Sequence, residues 1–285
     1  MTTADWIQNT DPSGEQAIHI NRTIRSVAIG EGAVASGLNS FAQGLNAQAT
    51  SDNAHAEGNG TLASGLQSHA EGLTTSAINP SAHAEGQQTT ASGLASHAEG
   101  DGTIAAGDFS HAEGQASTAL GFVSHVSGIL ANTFLVGQWT HASGQGGLAA
   151  PAVGNAQTSL VTMTGEVSGA GASVVLTLGS VLGGQLVLED GKDYTFTVTA
   201  AVGAVQPGPA RVGRGFILYF NVRRDGGVSV ITASGVGQSF GDLSTNDWTF
   251  VAMPSAAGID LTFTTGAIPS AAKVTAEVRF VEIAY

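Results

Sequence analysis

Histidine and glutamate recur in this chain at a spacing that puts them on one surface. Glu follows His by two residues five times: His55 with Glu57, His69 with Glu71, His83 with Glu85, His97 with Glu99 and His111 with Glu113. His125 and His141 extend the histidine series, which leaves only His19 outside it. In an extended strand residues i and i+2 point to the same side, so each pair offers an imidazole beside a carboxylate. Such pairs can fix strand register through hydrogen bonds. They can gather symmetry-related imidazoles around a metal ion or anion on an oligomer axis, or act as acid and base. Repetition in five units argues for architecture, because an active site is ordinarily one irregular constellation. With every repeat histidine committed to the series, no Ser-His-Asp arrangement can be assembled and no catalytic residue is expected. From Ser26 to Gly191 there is no Lys or Arg, so the five carboxylates have only His, water or bound ions as local compensation.

The elements that carry these residues follow from the glycines. Gly stands at 30, 37, 44, 58, 65, 72, 86, 93, 100, 107, 114, 121, 128 and 144, almost always seven or fourteen residues apart. A coiled-coil heptad needs two large apolar residues per seven and good helix formers between them. Here Ala holds the fifth place, from Ala28 and Ala35 through Ala119, and Gly holds the seventh. A Gly every two turns would melt a helix. Short strands turning at Gly fit instead, with the fifth-place Ala facing an interior too narrow for anything larger.

Alternate heptads differ, so the true period is fourteen. The fourth place runs Val27, Phe41, His55, His69, His83, His97, His111 and His125 in one set, then His141 after a nine-residue interruption, Ile129 to Gly137. In the other set it runs Val34, Gln48, Leu62, Ser76, Thr90, Ile104 and Thr118. Each coil is then two short strands, and successive coils stack as a solenoid. An interior of Ala and Gly removes little apolar surface from water, at about 25 cal/mol per Å². A lone coil stack is therefore expected to be marginal. Outward Val27, Ile29, Phe41, Leu62 and Ile104 call for a partner, and a cyclic homo-oligomer is the expected form.

The segment SVAIGEGAVASGLNSFAQG, Ser26 to Gly44, resembles the head repeat of trimeric autotransporter adhesins, the YadA-like family. The resemblance runs in register over residues 24 to 144. It implies a left-handed parallel β-roll in a tight homotrimer, with the His and Glu ladder facing or bordering the trimer axis. The HAEG variant of the unit is similar to repeats in phage and prophage tail proteins.

Composition narrows the function classes. The 285 residues carry a formal charge of −13 and no cysteine. An acidic chain lacks the clustered Lys and Arg that nucleic acid and anionic membrane surfaces require. Absent cysteine removes disulfides, thiolate metal sites and thiol nucleophiles. Met1 to Ile20 has no apolar run of the signal-peptide kind, and no stretch approaches the length of a membrane helix. Neither nucleic-acid binding nor membrane insertion is expected.

Beyond a Gly, Ala and Pro linker the pattern changes to alternating β-type runs. They lie at Ser159 to Thr164, Ser173 to Leu178, Gln185 to Glu189, Tyr194 to Ala200, Phe216 to Arg223, Val228 to Ala233, Trp248 to Met253, Ile259 to Thr264 and Lys273 to Ile283. Turn signals separate them, so an antiparallel β-sandwich or jelly roll is expected. Trp248 reads as a core anchor, and Asp190, Asp193, Asp225 and Asp247 as turn residues. The closing stretch is loosely similar to small β domains that end phage tail-fibre proteins.

The expected organisation is an attachment or capping segment over 1–25, the β-roll over 26–144, a linker over 145–157 and a C-terminal β domain over 158–285. Phe134 and Trp139 are expected to close the far end of the roll. The function expected is that of a homotrimeric phage tail fibre or spike in the virion. Its C-terminal domain would contact a host-surface glycan or protein, or another tail protein. A bacterial cell-surface adhesin is the alternative, and a polysaccharide depolymerase the enzymatic one. No cofactor is expected apart from a metal or anion on the trimer axis.

Overall fold

The computed structural model describes residues 6–10, 16–143, 156–178, 184–205, 211–241, 247–266 and 270–284. Every regular element among them is a β-strand, and the chain divides into two compact units, 1–134 and 135–285.

The first unit is a parallel β-solenoid of about 8 turns. One face stacks the strands Ser26–Ile29, Phe41–Gln43, His55–Asn59, His69–Leu73, His83–Gln87, His97–Asp101, His111–Ala112 and His125–Ile129. Each pairs in parallel with the next at an offset of fourteen, as in Phe41↔His55, His83↔His97 and His111↔His125. The second face stacks two-residue strands, from Val34–Ala35 to Asn132–Thr133, with Ala77↔Ala91 and Ala91↔Ala105 in register. The second face is thus built of shorter segments than the first, whose strands reach five residues, as in His83–Gln87. Before the first coil, a hairpin of Trp6–Thr10 and Gln16–Asn21 lays its second strand antiparallel on Ser26–Ile29, pairing Ile20 with Val27. The hairpin occupies the hydrogen-bonding edge that a solenoid otherwise leaves open.

The interior is as narrow as the fifth-place alanines imply. Ala42, Ala56, Ala70, Ala84, Ala98 and Ala112 are all 0% exposed. A second inward row stands at the third place, where Ser40, Thr61, Ser68, Thr75, Ser96, Thr103 and Ser124 are buried. Several hydroxyls there satisfy backbone carbonyls of the turn, Ser40 Oγ donating to Gly37 O at 2.8 Å and Ser96 Oγ to Gly93 O at 2.8 Å, whereas Thr61 and Thr75 Oγ1 have no hydrogen-bond partner. Small side chains, several with a local hydrogen bond, are the ones a coil this tight admits.

Glycine has two jobs in the turns. A Cβ on Gly65 would lie 2.0 Å from Asn79 O, and one on Gly100 2.1 Å from Gly114 O, so the seventh place is dictated by the closeness of the next coil. Several of these glycines, Gly100 at 105° among them, also hold a positive φ, but the residue nearest the left-handed helical conformation in each turn is the second place. Arg25, Asn39, Asn46, Asn53, Gln67, Phe109 and Val123 all take φ between 54° and 58° there, as Gly32, Gly60 and Gly102 do between 66° and 68°. Asn and Gly are the residues that adopt this conformation at least cost.

The second unit contains one large and one small antiparallel sheet. In the large one Ala156–Gly169 pairs with Ser270–Ala284, then come Lys192–Val205, Arg211–Asp225 and Val228–Gly241. Trp139–Ser143 and Thr177–Leu178 pair with Ala156–Gly169 on its other side. In the small sheet Gly258–Thr264 lies between Thr249–Pro254 and the two short strands Ser173–Val175 and Leu186–Val187. One face of the large sheet is an apolar core: Tyr194, Phe196, Val198, Phe220, Val278 and Phe280 are buried. Phe216 reaches Phe250 and Phe263 of the small sheet at 5.8 and 6.3 Å between ring centres. Trp248 is 3% exposed and stands edge-on to Phe263, the anchoring position its sequence context suggested. Residues 145–155 of the expected linker lie outside the described residues, and Ala156 and Gln157 open the first long strand.

Candidate functional site: the histidine and glutamate ladder

The register that aligns the coils also aligns the imidazoles. His55, His69, His83, His97 and His111 form one continuous stack, with ring centres 4.6 to 4.8 Å apart and planes within 9° of parallel. Phe41 meets the first ring edge-on at 5.1 Å, and His125 meets the last edge-on at 4.7 Å. The spacing is that of hydrogen-bonded strands, so the stack follows directly from the fourteen-residue repeat.

Which carboxylate each histidine meets changes along the ladder. His55 and His69 turn toward the Glu of their own coil, Glu57 and Glu71, at 3.8 and 3.7 Å from Nε2. His97, His111 and His125 turn toward the Glu of the preceding coil, Glu85, Glu99 and Glu113, at 3.8, 3.5 and 3.4 Å. The crossover falls at His83. Spacing alone gave the same-coil pairing, since i and i+2 share a face. The cross-coil pairing depends on side-chain torsions in a stack where the neighbouring carboxylate is equally near.

The ladder is partly sealed. Nε2 of His55, His69, His83, His97 and His111 has no accessible surface and no hydrogen-bond partner. Burial holds the basicity of His55, His69, His83, His97 and His125 below that of a free imidazole, and the neighbouring ring of the stack adds to the effect. Nearby glutamates offset it in part.

His141 does not belong to this ladder. The left-handed second place recurs at Leu130 and Gly137, and Ala131, Thr133, Gln138 and Thr140 fill the buried third and fifth places. The fourteen-residue frame thus continues through Ile129 to Gly137 without an interruption, and the place equivalent to His125 is Trp139. His141 lies two residues further on, paired with Thr158 in the second unit. The misleading signal was Leu135, which takes a seventh place that earlier heptads give to Gly except at Ser51 and Asn79. Trp139 does not close the interior either, being 59% exposed; Leu135 at 4% and Gln138 at 0% are the buried side chains of this segment. Gln138 Oε1 accepts from Leu135 N at 3.0 Å, and its Nε2 donates to Ser159 Oγ at 2.9 Å.

A second charged cluster lies in the C-terminal unit. Glu282 is 0% exposed. Gln157 Nε2 donates to its Oε1, and Lys192 Nζ stands 3.7 Å from its Oε2 while also pairing with Glu189. Burial pushes the Glu282 carboxyl up to about 7 against the pull of Lys192, and it raises the Tyr194 hydroxyl as well. The sequence held the signal: Val274, Ala276, Val278, Phe280 and Glu282 share one strand parity, and the first four are apolar. Of the aspartates expected in turns, Asp193 and Asp225 instead lie in the paired ends of strands Lys192–Val205 and Arg211–Asp225. Asp193 receives both Nε and Nη2 of Arg223 at 3.0 and 3.2 Å, and Asp190 accepts from Gly227 N at 3.0 Å.

Solved structures of low similarity to this chain include three phage tailspikes. The Acinetobacter baumannii phage AM24 tailspike protein is 7% identical, with 86% of this chain and 50% of that chain covered and a TM-score of 0.28. Tailspike gp49 from Acinetobacter baumannii bacteriophage Fri1, a capsular polysaccharide depolymerase, is 9% identical over 86% and 47%, with a TM-score of 0.24. The Acinetobacter phage vB_ApiP_P1 tailspike is 11% identical over 86% and 51%, at 0.22. The chain spans about half the length of these tailspikes. No curated protein sequence matches. The YadA head domain repeat matches residues 24–47, 35–54, 84–110 and 98–124. Those residues are similar to the YadA head domain repeat, and the N-terminal region that holds them is folded as a parallel β-solenoid.

Proposed function

We propose that this chain is a structural and receptor-binding component of a phage tail, a homotrimeric fibre or spike in which the solenoid is the rod. The C-terminal unit, a β-sandwich in this reading, contacts the host surface or another tail protein. The observation that carries the reading is the outer surface of the solenoid. Val34, Leu38, Leu45, Leu66, Leu94, Ile104 and Phe122 are each more than a third exposed around an interior of alanine. Exposed large apolar side chains that recur along the whole solenoid are the kind of surface that partner contacts cover. Three copies packed around an axis would cover it and border the histidine stack. The YadA head repeat and the likeness of its HAEG form to phage tail repeats favour a tail component, and a surface adhesin is the neighbouring reading. In neither is the chain an enzyme: one constellation repeated at each coil is suited to fixing register.

Light scattering on the purified chain tests the assembly. A mass three times 28.4 kDa is expected, and a monomer at micromolar concentration would defeat the proposal. Mass spectrometry of purified virions separates tail protein from adhesin, and release of reducing sugar from capsular polysaccharide would show an enzyme.

A further inference from the structure

The crossover in the ladder creates something that neither end of it has. In the coils from 85 to 113 each imidazole stands between two carboxylates, its own and that of the preceding coil. One ligand atom each from Glu85, His97 and Glu99 lies within 4.8 Å of the other two, and the same holds for Glu99, His111 and Glu113. Nε2 of His97 is 3.8 Å from Glu85 Oε1, and Nε2 of His111 is 3.5 Å from Glu99 Oε1. These separations are long for a charge-assisted hydrogen bond, at about 2.7–2.9 Å. They match the edge of a metal tetrahedron, about 3.4 Å for ligands held roughly 2.1 Å from a central ion.

We infer that Glu85, His97 and Glu99, and Glu99, His111 and Glu113, are two divalent transition-metal sites sharing the Glu99 carboxylate, one coil apart. Three observations support this. The Nε2 atoms of His97 and His111, like those of His55, His69 and His83, are sealed from solvent and have no hydrogen-bond partner, and at His97 and His111 two carboxylates converge with the imidazole within 4.8 Å. No Lys or Arg occurs between Ser26 and Gly191, so two or three carboxylates converging here lack any cationic side chain from their own segment. The side chains are also deeper than at the start of the ladder: Glu85 and Glu99 are 32% and 33% exposed, against 52% for Glu57.

The donor set decides the ion class. One imidazole with two carboxylates suits Zn²⁺ and its neighbours in the transition series, whereas Ca²⁺ and Mg²⁺ take oxygen alone. Three protein ligands leave a fourth position for water on the exposed side. All ligands come from one chain, so the inference stands whether or not the trimer proposed above forms.

Isothermal titration of the full chain with ZnCl₂, after dialysis against chelator, tests it. The expected result is saturable binding of one to two Zn²⁺ per chain, and Glu99→Gln, which removes the shared ligand, weakens it at least tenfold. Glu57→Gln, in the first His-Glu pair, leaves it unchanged, and His97→Ala halves the stoichiometry. Circular dichroism and melting of metal-free Glu99→Gln matching the parent chain show that binding, not folding, was lost. No Zn²⁺ binding tighter than 100 μM, or equal loss in Glu57→Gln and Glu99→Gln, would overturn the assignment. Light scattering on the same samples reports the oligomeric state separately, so failure of the metal sites and failure of the trimer are told apart.

Discussion

The two units of this chain solve the same packing problem with opposite materials. The solenoid fills its interior with Ala, Ser and Thr and relies on backbone ladders running coil to coil. The C-terminal unit fills its interior with Tyr194, Phe220 and Phe280 around Phe196, and with Phe263 against Phe216 and Trp248. The first is limited by volume, since coils fourteen residues apart approach too closely for a larger side chain. The second is limited by apolar area, since its long strands leave space that only large rings fill. A substitution that adds atoms should therefore harm the solenoid most, and one that removes atoms the C-terminal unit.

The largest effect expected comes from Ala98→Leu. Three added carbons meet an interior with no room, and overpacking costs of about 1–3 kcal/mol in ordinary cores are exceeded where backbone forms the wall. Loss of soluble folded protein in expression trials is the outcome, and a normally folded Ala98→Leu chain would break the comparison. Phe280→Ala is the converse, expected to cost the C-terminal unit about 3–5 kcal/mol. Hydrogen exchange resolved by peptide should show that loss confined to residues beyond 156, with the solenoid amides still protected.

Acidification should separate the units by sign. His55, His69, His83, His97 and His125 are less basic folded than unfolded, so the unfolded chain takes up more protons as pH falls. Solenoid stability is then complete above about pH 6.5 and declines as pH falls through the lowered folded values. Glu282 runs the other way. Its carboxyl is raised from 4.5 to about 7, so it stabilises the fold fully below pH 4.5, and that contribution is lost as pH rises to 7. The slope approaches about 1.4 kcal/mol per pH unit for one proton. Exchange measured in chelator at pH 7.5, 6.5 and 5.5 should show solenoid peptides losing protection while the strand Ser270–Ala284 gains it. Glu282→Gln should flatten only the second trend.

The smallest effect concerns the turns. Val123 holds φ of 54° and is 51% exposed, a β-branched residue in a conformation that costs about 1–2 kcal/mol. Val123→Gly should raise the melting free energy by up to about 1 kcal/mol after the entropy of Gly is subtracted. A loss of stability instead would mean that the Val123 side chain is held by another copy in the assembly.

Much of this was readable one residue at a time. The fifth-place Ala row, the fourteen-residue period and the parity of the C-terminal strands are local properties, and each expected C-terminal run coincides with a strand. The second-place turn residues were equally visible, in Asn39, Asn46 and Asn53 beside Gly32 and Gly60, but the more regular seventh-place Gly masked them. Following the second place past Gly128 also corrects the frame that had brought His141 into the ladder.

What the sequence determined by itself is the coil: its length, its inward alanines and the alignment of His with His, because a repeat in register needs only strand geometry. The tertiary structure decided what those groups meet. His97 turning to Glu85 rather than Glu99, and Glu282 meeting Gln157 and Lys192, are choices among partners at nearly equal reach. Burial and side-chain torsion settle them, and neither is a property of any one segment of chain.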